Sequence, residues 1–102
     1  MTTAVTSNLS VDSSLLSISV SGRFDFNLKD TFFAAYEEVL HPVREVTLDF
    51  KNLGYMDSSA LGMLLYMNNS FCEKVNISII NCRPIIKELL LLARFDKYFI
   101  LK

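Results

Sequence analysis

Three short stretches alternate apolar and polar residues with period two. They are LLSISV from Leu15, EVTLDF from Glu45 and VNISII from Val75. Period-two patterning of this kind marks half-buried strands, because successive side chains point to opposite faces of a sheet. Between them lie segments with helical spacing, so these strands cannot be joined by tight turns. Strands separated by helices imply parallel pairs with right-handed crossovers. Strands covered on both faces would read as continuous apolar runs. The alternation therefore predicts helices mainly on one face of the sheet, with the other face fairly wet.

The rest of the chain fills in this frame. Val5, Leu9 and Val11 alternate with Thr6, Asn8 and Ser10, and the turn residues Asp12, Ser13 and Ser14 follow. Together with Leu16, Ile18 and Val20 they predict a β-hairpin, with Gly22 ending its second strand. Asn27 is a suitable N-cap for LKDTFFAAYEEVL, in which Leu28, Phe32, Ala35 and Val39 share a face and Pro42 enforces a stop. A second helix begins near Ser58, with Leu61, Leu64, Leu65 and Phe71 on one side. Pro84 opens a third, through Leu92. The tail FDKYFILK reads as a short strand or a last helical turn. The expected order is ββαβαβα: a small two-layer α/β fold with a mixed four- to five-stranded sheet, residues 1–102 forming one domain.

Bulk properties narrow the function. With 102 residues and 51% hydrophobic content, the chain can build a core without staples. Ten Lys and Arg against eleven Asp and Glu give a net charge of −1, without the basic stripe of a nucleic-acid binder. The N-terminus MTTAVTSNLS lacks a basic and an apolar signal region. The run IIKELLLLA is interrupted by Lys87 and Glu88, far short of a membrane span. Cys72 and Cys82 lack metal-type spacing and read as reduced core thiols of a cytoplasmic protein. No cofactor is implied. His41, the one histidine, lies in the helix-ending LHPV. A serine hydrolase would lack its base, and GxSxG is absent.

The chemistry concentrates at YMDSSALGMLLYM, residues 55–67. Asp57, Ser58 and Ser59 stand at the mouth of a greasy helix. One such residue suffices as an N-cap, and Leu61 at the box position excludes a capping box. Capping alone accounts for the cluster on one reading, with Ser58 as the cap. On the other, a helix N-terminus tolerates negative charge, so a serine phosphate there would change the surface while sparing the fold. Helical geometry then turns Met63, Tyr66 and Met67 outward from the leucine face, beside Tyr55 and Met56. Exposed Met and Tyr next to a switchable charge suit a partner surface. The competing reading packs Met63 and Met67 under a neighbouring element. Asp25 and Asp57 each follow a strand, so both are expected at the same end of the sheet. The alternative for Asp25 is a cap on the first helix.

LDFKNLGYMDSSALGMLL resembles the signature of the STAS domain family, whose single-domain bacterial members are anti-sigma factor antagonists. Asp49 and Asp57-Ser58-Ser59-Ala60-Leu61-Gly62 match the family's strand-end aspartate and its D-S-[ST]-[GA]-L-G helix opening. VSGRFDF matches an earlier family element at Gly22 and Asp25. LLARFDKYF is similar to the family's closing segment, with Arg94 where glycine is usual. The resemblance implies a phosphorylation-switched binding module. Unphosphorylated, it would sequester an anti-sigma factor that is also a GHKL-type serine kinase. Phosphorylation of Ser58, less readily Ser59, would release it, and a PP2C-type phosphatase would reset the switch. Asp57, Asp25 and Gly62 would neighbour the switch; Tyr55, Met56, Met63, Tyr66 and Met67 would carry the partner surface. A free monomer without nucleic-acid binding or membrane insertion is expected. The alternative within the family is a structural subunit of a transporter-associated or multi-protein complex, where the serine serves docking alone.

Overall fold

The computed structural model describes residues 2–40 and 43–102, so the expected stop at Pro42 and the single histidine, His41, lie outside the described residues. Among the described residues, six strands and three α-helices follow one another as β1 (Ala4–Leu9), β2 (Leu15–Phe24), α1 (Lys29–Ala34), β3 (Glu45–Asp49), β4 (Leu53–Met56), α2 (Ser58–Ser70), β5 (Asn76–Ile80), α3 (Pro84–Leu92) and β6 (Ile100–Leu101). The sheet runs β1-β2-β3-β5-β6, with β4 paired to the far end of β2. β1 and β2 form the antiparallel hairpin and the other pairs are parallel.

Register carries the alternation across the sheet. Leu16, Val46 and Ile77 are neighbours, as are Ile18, Leu48 and Ile79, and all six are buried. Ser17, Thr47 and Ser78 form the polar row between them. The helices complete the core with Leu28 and Phe32 from the first helical segment, Ala60, Leu64 and Met67 from α2, and Ile86 and Leu90 from α3. The result is a small α/β fold with a mixed sheet and its apolar rows turned to the helices.

Several expectations are corrected. Among the described residues the sheet has six strands rather than four or five, because NLGYM, assigned to no element, contains β4. Gly22 does not end β2, which continues to Phe24. There Gly22 has φ +80°, and an added Cβ would lie 2.5 Å from Thr3 Oγ1 and 2.7 Å from Thr3 Cα, so the residue must be glycine for two reasons. α1 is shorter than its apolar face suggested, six residues followed by a 3₁₀ turn at Glu37–Val39. Asn27 is not its cap: Asp25 caps a 3₁₀ turn at Phe26–Leu28 by accepting from the Asn27 amide at 3.0 Å. Val11 stands fully exposed in the hairpin turn rather than in β1. Both cysteines are free thiols; Cys72 is exposed rather than in the core, and Cys82 is half-buried against it. The tail holds both of its alternatives, a 3₁₀ turn at Phe95–Lys97 and then β6.

Candidate functional site

The site begins with a register shift. β2 and β4 pair as Gly22 with Leu53, Arg23 with Tyr55 and Phe24 with Met56, leaving Gly54 as an extra residue on β4. The bulge reverses the phase of the strand: Leu53 is buried, Gly54 and Tyr55 are exposed, and Met56 is buried again. A bulge re-aims the side chains beyond it. Here it sets Tyr55 beside Arg23, whose guanidinium carbon lies 3.9 Å from the centre of the tyrosine ring. Two residues further on, past the last pair of Phe24 with Met56, Asp25 and Asp57 follow at the same end of the ladder. Arg23 Nε lies 3.5 Å from Asp25 Oδ2.

Asp57 is the N-cap of α2, and Ser58 is its first helical residue rather than its cap. One carboxylate oxygen of Asp57 accepts from the Ser59 amide at 3.0 Å, the Ala60 amide at 3.2 Å and the Ser59 hydroxyl. The Ser59 hydroxyl holds the Asp57 carboxyl below the usual carboxylate range; burial opposes this, while the two amides and the Arg23 charge add to it. Ionised Asp57 satisfies two of the orphan donors that every helix N-terminus presents. The two serines therefore differ: Ser59 is half-buried and tied to Asp57, whereas Ser58 is exposed. Among the described residues no hydrogen bond holds the Ser58 hydroxyl.

The expected partner surface is partly redrawn. Met67 is 0% exposed and Met56 5%, so both belong to the core. The physical reason for Met67 is helical phase: Ala60, Leu64, Met67 and Phe71 form the packed stripe, each three or four residues from the next. Leu61 and Leu65 flank it, half-buried. Met56 is turned inward by the bulge. Tyr55 and Tyr66 stay exposed, and Met63 is half-buried.

A groove of about 630 Å³ runs between the α1 segment and α2, lined by Phe26, Phe33, Ser59, Gly62, Met63 and Tyr66 among others. Phe26 is 66% exposed and Tyr66 60%, and the Phe33 and Tyr66 rings meet edge to face at 5.9 Å. Gly62 sits in the groove, exposed, and a Cβ there would meet nothing within 4 Å. Sequence reasoning missed Arg23, Phe26 and Phe33. For Phe33 a signal existed: Phe32 and Phe33 are adjacent on a helix and cannot share its inner face.

Residues 7–102 match the family model described as "Mlab, STAS domain". The chain is 39% identical over 97 residues to a STAS-domain containing protein, PA14_20770, of Pseudomonas aeruginosa strain UCBPP-PA14, covering 94% of this chain and 96% of that protein. The chain belongs to the STAS domain family. Its fold is that of an anti-sigma factor antagonist from Mycobacterium paratuberculosis, with a TM-score of 0.80 at 18% identity over 96% of this chain and 85% of that one. It is also that of the anti-sigma factor antagonist SpoIIAA from Bacillus. The unphosphorylated form superposes with a TM-score of 0.75 at 17% identity, covering 97% and 87% of the two chains. The phosphorylated form gives 0.71 at 18%, covering 97% and 91%.

Proposed function

We propose that the protein is an anti-sigma factor antagonist that works by partner switching, with Ser58 as its phosphorylation site. Unphosphorylated, it binds an anti-sigma factor that is also a GHKL-type serine kinase. That kinase modifies Ser58 and is released, and a PP2C-type phosphatase restores binding. The observation that carries this reading is the asymmetry of the two serines: Ser59 is tied to Asp57, while Ser58 is exposed at the first position of α2, next to an aromatic groove. Likeness in fold to SpoIIAA, a protein known in both phosphorylation states, supports it.

The physics of the corner makes such a switch workable. A phosphate at a helix N-terminus interacts favourably with the helix dipole, so the fold survives modification. A partner that covers Tyr66, Met63 and the groove must then bury a charge of about −1.5 to −2 beside Asp57. Burying that added negative charge costs several kcal/mol, and each ~1.4 kcal/mol is tenfold in affinity. Gly62 fits the same picture: nothing in this chain requires it, and its missing side chain leaves the groove open to a partner.

The test is affinity capture from the native host with wild type, Ser58→Ala and Ser58→Asp, followed by phosphopeptide mapping. Phosphate on Ser58 is expected, absent in Ser58→Ala, with capture weakened at least tenfold in Ser58→Asp. Phosphate on Ser59 with Ser58→Ala still modified would overturn the assignment. An unmodified protein whose capture is indifferent to Ser58→Asp would instead indicate a docking subunit.

A further inference from the structure

We propose that Arg23 is the internal partner of a phosphate on Ser58: on phosphorylation its guanidinium leaves Asp25 and the Tyr55 ring for the phosphate, uncovering Tyr55. The modification would thus change the shape of the surface as well as its charge. The inference rests on the reading of Ser58 as a phosphosite and names the residue through which that event is registered.

Position comes first. Arg23 is paired with Tyr55 in the β2–β4 ladder, and the bulge at Gly54 puts both on the side away from Phe24 and Met56. The guanidinium reaches forward along β2 to Asp25, the level at which Asp57 begins α2. Its field is felt there, since the Arg23 charge is one of the influences that keep Asp57 ionised. Ser58 is the next residue.

Charge comes second. Arg23 lies with two carboxylates, Asp25 and Asp57, at this corner. Lys29 stands over the Phe26 ring at 5.5 Å, beside Asp30 on the groove's other rim. A phosphate would add a third anionic group at the corner, with Arg23 as the compensating cation. The present holds on Arg23 are weak ones. Its side chain is 61% exposed, and the 3.5 Å approach to Asp25 is a long, solvent-screened contact. A phosphate offers about −1.5 to −2 of charge and three acceptor oxygens, which a guanidinium can engage two at a time. Competition between one carboxylate at long range and such a group goes to the phosphate. When Arg23 moves, the face of Tyr55 that it covers is returned to solvent.

The experiment installs phosphoserine at position 58 during synthesis, so it needs no kinase. ³¹P NMR then follows the phosphate's second ionisation in the otherwise wild-type protein, in Arg23→Gln and in Lys29→Gln. The phosphate should titrate about half a unit or more lower with Arg23 present than in Arg23→Gln. Lys29→Gln should match the wild-type background. In the same samples the Tyr55 ring resonances should shift on phosphorylation with Arg23 present and stay put in Arg23→Gln. Equal titration with and without Arg23, or Tyr55 resonances indifferent to the phosphate, would overturn the proposal. Circular dichroism confirms that each variant is folded. Because the phosphate is installed chemically, a host that never modifies Ser58 would sink the functional reading while leaving this result standing.

Discussion

α2 and α3 are built for the same job at their inner faces and for different jobs at their ends. Each follows a strand of the parallel part of the sheet and each buries an apolar stripe, Ala60, Leu64 and Met67 in one, Ile86 and Leu90 in the other. α3 starts on Pro84 at its first turn, with Arg83 as an N-cap that makes no side-chain bond. Proline has no amide hydrogen to satisfy and its φ is already helical, so the mouth of α3 needs nothing else. α2 starts on an acid that caps as a carboxylate, leaves a hydroxyl outside it, and carries a glycine four residues into the helix. The contrast separates what folding requires from what it does not. A helix mouth in this fold can be closed with a proline, so the Asp-Ser-Ser cluster exceeds the needs of the helix.

Three measurements sharpen or break this comparison. The largest effect should be common to both helices. Met67→Ala and Leu90→Ala each remove a fully buried side chain and should cost about 2–5 kcal/mol in urea unfolding. Tyr66→Ala, on the outer face, should stay within about 0.5 kcal/mol. A Met67→Ala protein as stable as wild type would return Met67 to the surface and undo the assignment of the packed stripe.

The second effect should distinguish the mouths. Asp57→Ala removes a cap with three donors to one oxygen and should lower the melting temperature by roughly 4–8 °C. Arg83→Ala should leave it unchanged. The Asp57 contribution should also depend on pH. Its carboxyl is held below the ordinary value of 3.8 in the folded state. The contribution is therefore fully present above about pH 4 and is lost as pH falls through the lower, folded value. The gap between wild type and Asp57→Ala should close in that acidic window. Taking the difference between the two proteins cancels Asp12, whose carboxyl is lowered to about 2 by the Ser14 hydroxyl foremost. A gap constant to pH 2 would mean that an uncharged Asp57 caps equally well.

The smallest effects have the opposite sign and come from two misplaced residues. Gly62 occupies a helix interior where a Cβ meets nothing, so Gly62→Ala should stabilise by about 0.5–1 kcal/mol. Arg94, after α3, takes φ 60° and ψ 37°, a left-handed conformation that disfavours a side chain. Arg94→Gly should gain up to about 1 kcal/mol. Only the first should weaken partner capture, because only Gly62 lines the groove. Equal capture by Gly62→Ala would reduce the glycine to an accident of the helix.

Much of this was legible in the sequence where one period holds for a whole element. β2 and β3 keep strict alternation, β5 keeps it at Ile77 and Ile79, and Pro84 and Leu92 bound α3 where the pattern ends. β4 escaped because four residues with a bulge inside them never complete a period: Leu53 and Met56 are both inward, three apart. Met67 was misplaced because α2 is apolar around much of its circumference, which leaves its phase open by a residue in either direction. The cap was displaced by one for a similar reason, since Asp57, Ser58 and Ser59 are all competent caps. Arg23 was invisible because its meaning lies across the ladder, in Tyr55, 32 residues away.

β2 divides its allegiance. Residues 15–19 belong to β3, while residues 22–24 belong to β4, after the left-handed step at Gly22. The strand that leads to Ser58 therefore joins the sheet through the end of β2. It is a tongue attached by three residue pairs and pinned by the side chains of Leu53 and Met56. A segment with few ladder pairs has fewer backbone bonds to break in a local opening than the central strands have. The Leu53 and Met56 side chains, both buried, therefore set how firmly this corner is held to the core.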